Sequence, residues 1–341
     1  MHDVAALAGV SHITVSRVLN DYPSIRPATR ERVLAAIAEL GYRRNLAARA
    51  LVTSRTRAIG VLAPEVAQHG PASSVLAVES AARAHGYHPL VTATALEHDA
   101  TVAALEFLLD QAVEALVVIA PHETVLAAIR DLDIRVPLVT LQAPDRPGGI
   151  GVDQVAGTRL ATEHLLALGH RSIQHLAGPE GSLEAAARLL GYAEAMAGLD
   201  APEVLFGDWG AASGYAAADA LSPEVTAVVA GNDQMALGLI AGLADAGRQV
   251  PGDVSVVGFD DIPEAAFVRP ALTTVHQDFA LIGRLAVESL LAQLGADAAP
   301  AAAAAASAAA APAPAASASA APAVIPPSLV IRSSTQPPRA D

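Results

Sequence analysis

A chain of 341 residues, 52% hydrophobic and 16% charged and without cysteine, has room for two or three domains and excludes a disulfide framework or a Cys-based metal or redox site. Its 11 His never adopt the His-Glu-x-x-His spacing of a helical zinc site. No apolar run reaches the roughly 18 residues of a bilayer span, and the N-terminus lacks a basic-then-apolar leader, so a cytoplasmic protein without cofactor or membrane partner is expected.

The net charge of −14 is unevenly placed. Residues 1–57 hold nine Arg against four acidic side chains, a balance of +5, which leaves −19 on the remainder. A basic head on an acidic body confines attraction for a polyanion to the head. Every basic side chain in the head is Arg, which favours bidentate and minor-groove contacts.

In chain order, HDVAALA (2–8) sets Val4, Ala5, Leu7 and Ala8 on one helical face, and Gly9-Val10 ends the run. Ser11 is a good N-cap for a second helix through Leu19, because its hydroxyl can accept from a first-turn N–H. A third helix over Ala28–Leu40 buries Val33, Ile37 and Leu40 and stops at Gly41. Three short helices with a tight turn between the first two form a helix-turn-helix headpiece, residues 1–44. Residues 45–57 then read as a hinge and linker.

From Ala58 the pattern is α/β. Apolar strands at 58–63, 88–95, 115–120, 137–141, 172–178, 226–231 and 254–259 alternate with Ala-rich helices. That alternation predicts parallel sheets covered on both faces. Ligands in such sheets lie beyond the strands' carboxyl ends, where Gln142, Asn232-Asp233 and Asp260-Asp261 fall. Residues 296–323, nearly all Ala, Pro and Ser, read as a flexible, disordered insertion. A strand, SLVIR (328–332), follows, and no heptad repeat comes after it.

Six stretches carry a family resemblance: DVAALAGVSHITVSRVLN (3–20), GTRLATEHLLALGH (157–170), GDWGAASG (207–214), NDQMALG (232–238), SVVGFDD (255–261) and LTTVHQDFALIG (272–283). In this order they resemble the lactose repressor family over nearly the whole chain. The resemblance implies two lobes of periplasmic-binding-protein type crossed three times by the chain. The lobes would be 58–154 plus 279–295, and 155–278 plus 324–333. It also implies a ligand-responsive repressor that binds double-stranded operator DNA as a homodimer.

On the second helix His12, Ile13 and Arg17 share a face, and the resemblance gives them base reading. Arg17 suits guanine and Ile13 a thymine methyl. Ser11, Thr14, Ser16 and Asn20 complete the expected DNA-binding set as a cap and short phosphate-binding groups. In NLAARALV (45–52), which resembles the family's minor-groove hinge helix, Asn45 and Ala48 lie close to DNA and Leu51 is the wedge. The motif begins at Met1-His2, so contacts from an N-terminal arm are missing or the true start lies upstream.

A sugar site needs an aromatic face and planar polar groups for ring hydroxyls. By resemblance Trp209 and Phe279 line the cleft, Asn232, Asp260 and Arg188 bind hydroxyls, and Gln277 supports them. Strand-end Asn and Asp also cap helices, so a purely structural role stays open for them. Gln142 stands where the family pattern has a hydroxyl-binding Asp, and Pro64 where it has a pocket Ser. Gln68 and Ser74 replace apolar residues nearby. The expectation is a small sugar inducer, most simply a galactoside-like glycoside. Another sugar, a purine corepressor or a sugar-binding transport component are the alternatives. No Gly-x-Ser-x-Gly elbow, phosphate loop or metal cluster suggests an enzyme.

Overall fold

A computed structural model describes residues 1–19, 22–42, 55–65, 68–119, 122–143, 146, 148–304 and 323–339, with 296–304 as backbone alone. The chain divides into two units, Met1–Thr56 and Arg57–Asp341. Among the described residues no helix is long and apolar enough to cross a membrane.

The first unit is built from α1 (His2–Ala8), α2 (His12–Leu19) and α3 (Pro27–Glu39). Gly9, at φ 64°, ends α1 in the left-handed conformation that glycine adopts without a Cβ clash. The Ser11 hydroxyl accepts from Thr14 N–H at 3.2 Å and so starts α2, as its position before the apolar run predicts. Val4, Val15 and Val33 are wholly buried in one small core, each contributing about 1.5–3 kcal/mol. Two expected core residues are not in it. Leu7 and Leu40 are 47% and 46% exposed, while Val10, Leu19, Ile25, Ile37 and Tyr42 pack against the core in their place.

In the second unit the described residues form two six-stranded sheets. The first runs β11-β5-β4-β3-β1-β2, from β1 (Ala58–Pro64), β2 (His88–Thr94), β3 (Ala115–Ile119), β4 (Leu138–Leu141), β5 (Gly149–Val152) and β11 (Ala323–Ile325). All its pairings are parallel. Period-two alternation splits β1 and β3 between two cores. Ile59, Val61, Val117 and Ile119 face one side, and Leu62, Leu116 and Val118 the other. Helices α4 (His69–Ala84) and α11 (Phe279–Ala304) cover the first side. Helices α5 (His98–Asp110) and α6 (Glu123–Asp131) cover the second.

The second sheet runs β12-β10-β9-β8-β6-β7, from β6 (Ile173–Ala177), β7 (Leu205–Phe206), β8 (Ala227–Ala230), β9 (Ser255–Asp260), β10 (Thr273–His276) and β12 (Ser328–Val330). Only β12 is antiparallel, to β10. Its helices are α7 (Gln154–Ala167), α8 (Leu183–Ala195), α9 (Ala211–Ala220) and α10 (Asp233–Asp245). Helices α9 and α10 touch backbone to backbone. A Cβ on Gly238 would lie 1.8 Å from the Ala211 carbonyl oxygen, and one on Gly214 would lie 2.1 Å from that of Met235. This close approach fixes the start of α10, where Asn232 stands.

The chain crosses between lobes after β5, after β10 and between β11 and β12. The last crossing corrects one expected boundary. Residues 323–325 pair with β5 in the first lobe, and only β12 joins the second, so 324–333 is shared between lobes. The helical backbone of α11 runs to Ala304, into the segment read as an insertion, because poly-Ala continues a helix readily. Residues 305–322 lie outside the described residues.

Candidate functional site

On α2 the apolar side chains Val15 and Val18 turn inward. His12, Ile13 and Arg17 are exposed on the other side, Ile13 by 53%. The Arg17 guanidinium lies over the Tyr22 ring, 5.5 Å from its centroid. The Ser11 and Thr14 hydroxyls bond to each other at 3.0 Å, so Ser11 serves the helix start as well as facing outward. Ser16 is half-buried. Asn20, Asn45, Ala48 and Leu51 lie outside the described residues.

In the second unit a cavity of about 190 Å³ lies between the lobes, where the carboxyl ends of both sheets meet. Arg188, on α8, is buried at its floor. Its Nε donates to Gln154 Oε1 at 2.8 Å, and Nη1 donates to the Gly231 carbonyl. Gln154 Nε2 donates to Gln277 Oε1 at 2.9 Å, and Gln277 Nε2 donates to Asp260 Oδ1 at 2.7 Å. Asp260 Oδ1 is in turn 3.7 Å from Arg188 Nη2. The result is a closed polar ring whose two glutamines stand on chain crossings, Gln154 after β5 and Gln277 before α11.

Aromatic faces flank the guanidinium, with Phe259 at 3.9 Å and Trp209 at 5.2 Å. Trp209, at φ 71°, is held by its carbonyl, which accepts from Asn232 Nδ2 at 2.9 Å. Its ring lies so close to Gly178 that a Cβ there would come within 2.2 Å. Asn232 Oδ1 accepts from Met235 N–H at 2.9 Å, so the capping role left open for this residue is realised. The side chain lines the cavity as well. Asp260 and Asp261 both have positive φ, 116° and 56°, backbone strain of the kind that accumulates at functional sites.

The structure therefore brings Arg188, Trp209, Asn232, Asp260 and Gln277 together at one cavity. Two expected residues stand apart from it. Phe279 is buried behind the cavity wall, edge-on to His69 at 5.6 Å. Gln142 lines a second cavity of about 470 Å³ instead, and both polar atoms of its amide lack hydrogen-bond partners. Pro64 and Gln68 do line the main cavity. Ser74 is wholly buried, its hydroxyl without a partner.

Residues not singled out from sequence also belong to the site: His69, His122 and Glu184 line it, and Gln154 closes the polar ring. Glu184 lies one turn before Arg188, a spacing that puts both on one helix face and was the available signal. Nothing local marks Gln154 or His122, since only the crossing of the lobes brings them in. An isolated bridge between His122 and Ser182 joins the lobes near the cavity.

Burial pushes the carboxyls of the site up. The Asp260 carboxyl is raised by desolvation, against the opposing pull of Arg188 and the Gln277 hydrogen bond. Glu184 is pushed up to about 7 by burial, again opposed by Arg188. Asp233, buried beside them, is pushed up to about 8 by burial, with the Asp260 charge adding to the rise. Such an arrangement can bind a polyhydroxylated ring against Trp209, with hydroxyls exchanging hydrogen bonds with a carboxylate, an amide and a guanidinium.

Residues 1–45 match the family model "Bacterial regulatory proteins, lacI family", and residues 162–335 match the periplasmic binding protein-like domain. The chain is 37% identical over 300 residues to the lactose operon repressor of Escherichia coli strain K12, covering 85% of this chain and 83% of the relative. It is similar to the crystal structure of the lac repressor dimer bound to operator and the anti-inducer ONPF, at TM-score 0.82 and 34% identity over 98% of both chains. It is also similar to the complex of the transcriptional regulator CelR with cellobiose, at TM-score 0.68 and 31% identity, covering 97% of this chain and 98% of that one.

Proposed function

The chain belongs to the lacI family of bacterial regulatory proteins and is a ligand-responsive transcriptional repressor, and from that premise we propose that it binds a pseudo-palindromic operator as a homodimer and is released by a small sugar, a galactoside-like glycoside. The observation that carries the reading is the closed ring Arg188–Gln154–Gln277–Asp260. A ligand that bonds to Asp260 and Arg188 acts on groups tied directly to two lobe crossings, so binding and lobe position are physically linked. A ligand shifts such an equilibrium only through unequal affinity for the two states. Closure of the lobes on the sugar supplies that inequality.

Headpiece chemistry supports the other half. Arg17 reads guanine, Ile13 meets a thymine methyl, and His12 donates to a base or phosphate. Thr14, Ser16 and Asn20 grip phosphate oxygens, and Ser11 caps the helix that carries them. Asn45, Ala48 and Leu51 form the minor-groove hinge, with Leu51 as the wedge. Two such headpieces on a two-fold axis require a dimer. The likeness to a repressor dimer on operator and to a cellobiose complex supports operator, dimer and glycoside.

The test is fluorescence anisotropy of labelled operator with wild type and Asp260→Ala, titrated with galactosides, glucosides and purines. A glycoside should weaken operator binding of the wild type, and Asp260→Ala should bind operator and ignore the sugar. A purine that tightens operator binding overturns the effector half.

A further inference from the structure

Two carboxylates in the cavity share one guanidinium. Glu184 Oε1 lies 3.6 Å and Asp260 Oδ1 3.7 Å from Arg188 Nη2, and the three side chains are only 11%, 6% and 4% exposed. Arg188 is already spent on Gln154 and Gly231, and Asp260 has the Gln277 amide. Among the described residues Glu184 accepts no hydrogen bond, so its carboxylate has the distant guanidinium and nothing else. Of the cavity's imidazoles, His69 bonds to Ser73 Oγ at 3.2 Å and His122 to Thr124 Oγ1 at 2.9 Å, each through one ring nitrogen, and His69 also acts on the Asp260 charge.

Glu184 also lines the second cavity, where the Gln142 amide is left without partners. The Glu184 carboxylate, held only by the shared guanidinium, and the partnerless Gln142 amide both border that chamber. Two carboxylates against one guanidinium leave a net negative charge in a desolvated place, which favours a proton or a cation joining them. Burial, with the Asp260 charge adding to it and Arg188 opposing it, pushes the Glu184 carboxyl up to about 7.

We infer that Glu184 selects the effector and that the cleft takes a glycoside bearing an amino group, preferring it to a neutral sugar and rejecting phosphorylated or acidic sugars. The inference rests on the effector reading above. An ammonium supplies the missing positive charge and up to three donors, one of which matches Glu184. A neutral hydroxyl offers one donor and no charge. A phosphate or uronate adds a negative charge beside two carboxylates.

Calorimetry on the full chain tests this with methyl galactoside, galactosamine, 6-amino-6-deoxygalactose, galactose 6-phosphate and galacturonate. At least one amino sugar should bind about tenfold or more tighter than methyl galactoside, as a charge-assisted bond replaces a neutral one. The two anionic sugars should not bind. In Glu184→Gln, its folding checked by operator affinity, the amino preference should collapse, and Glu184→Asp should restore part of it. Neutral and amino sugars binding equally, or a preference that survives Glu184→Gln, overturns the selectivity and leaves the effector reading standing. Heat from none of the sugars overturns both.

Discussion

His175 shows how one side chain shapes the core under the site. It is wholly buried, stacked on Tyr192 at 5.1 Å, and its Nδ1 bonds to the Val229 carbonyl at 2.9 Å. The other ring nitrogen has no partner. Burial first, and the Arg188 charge second, push its pKa down to about 4 from an ordinary 6.5. The unfolded chain takes up a proton near pH 6.5 and the folded one does not. His175 therefore contributes stability that is complete above pH 6.5 and is lost as pH falls towards 4, about 3 kcal/mol in all. As pH falls across that window the urea midpoint of wild type should fall relative to that of His175→Gln. Identical slopes would remove His175 as the cause. Asp233, Glu184 and Asp260 act in the opposite direction, since raised carboxyls lose stability as pH rises, so the wild-type minus variant difference is the readout. Chemical type was readable for Arg188, Asn232 and Asp260 from motif and strand-end position. The cap role of Asn232 and the isolation of Gln142 depend on neighbours far away in the chain.

At the scale of elements, α2 was legible because the Ser11 cap and the Gly9 stop before it agree, and the structure then turns Val15 and Val18 inward. Its outward face makes a prediction. Arg17→Ala should cost about 1–3 kcal/mol on the specific operator and relax preference at one base pair. The measurement is anisotropy on the operator and on single-base variants. Equal loss on random DNA would reduce Arg17 to a phosphate contact. The stacking of Arg17 on Tyr22 places the guanidinium beforehand and limits the entropy lost on docking. Strands β5, β7, β10 and β11 have two to four residues each. Such lengths are too short for alternation to declare itself, and they become strands because a neighbouring strand offers a ladder.

For the whole molecule, the coupling between effector and operator should run through the glutamines at the crossings. Coupling of about 1–3 kcal/mol, or about 5–150-fold, is typical of such regulators. Gln154→Leu removes the link between Arg188 and Gln277 while leaving Asp260 and Asn232 at the cavity. The expected outcome is a smaller ratio of operator affinities without and with saturating glycoside. An undiminished ratio at saturation would place the coupling elsewhere. By linkage the operator should lower glycoside affinity by the same factor in each variant.

The amino-acid order alone determined the class of the protein: a basic helical head, an acidic body of parallel α/β lobes, and the residue types proposed to read DNA and hold the effector. These follow from local causes, namely caps, glycine stops, periodicity and charge along the chain. Tertiary structure decided which polar groups meet. The ring through Gln154 and Gln277, the burial that raises Glu184 and Asp260, and the transfer of residues 323–325 to the first lobe all join segments distant in sequence. Spacing cannot encode such meetings, because they exist only once two sheets are assembled and three crossings hold them face to face.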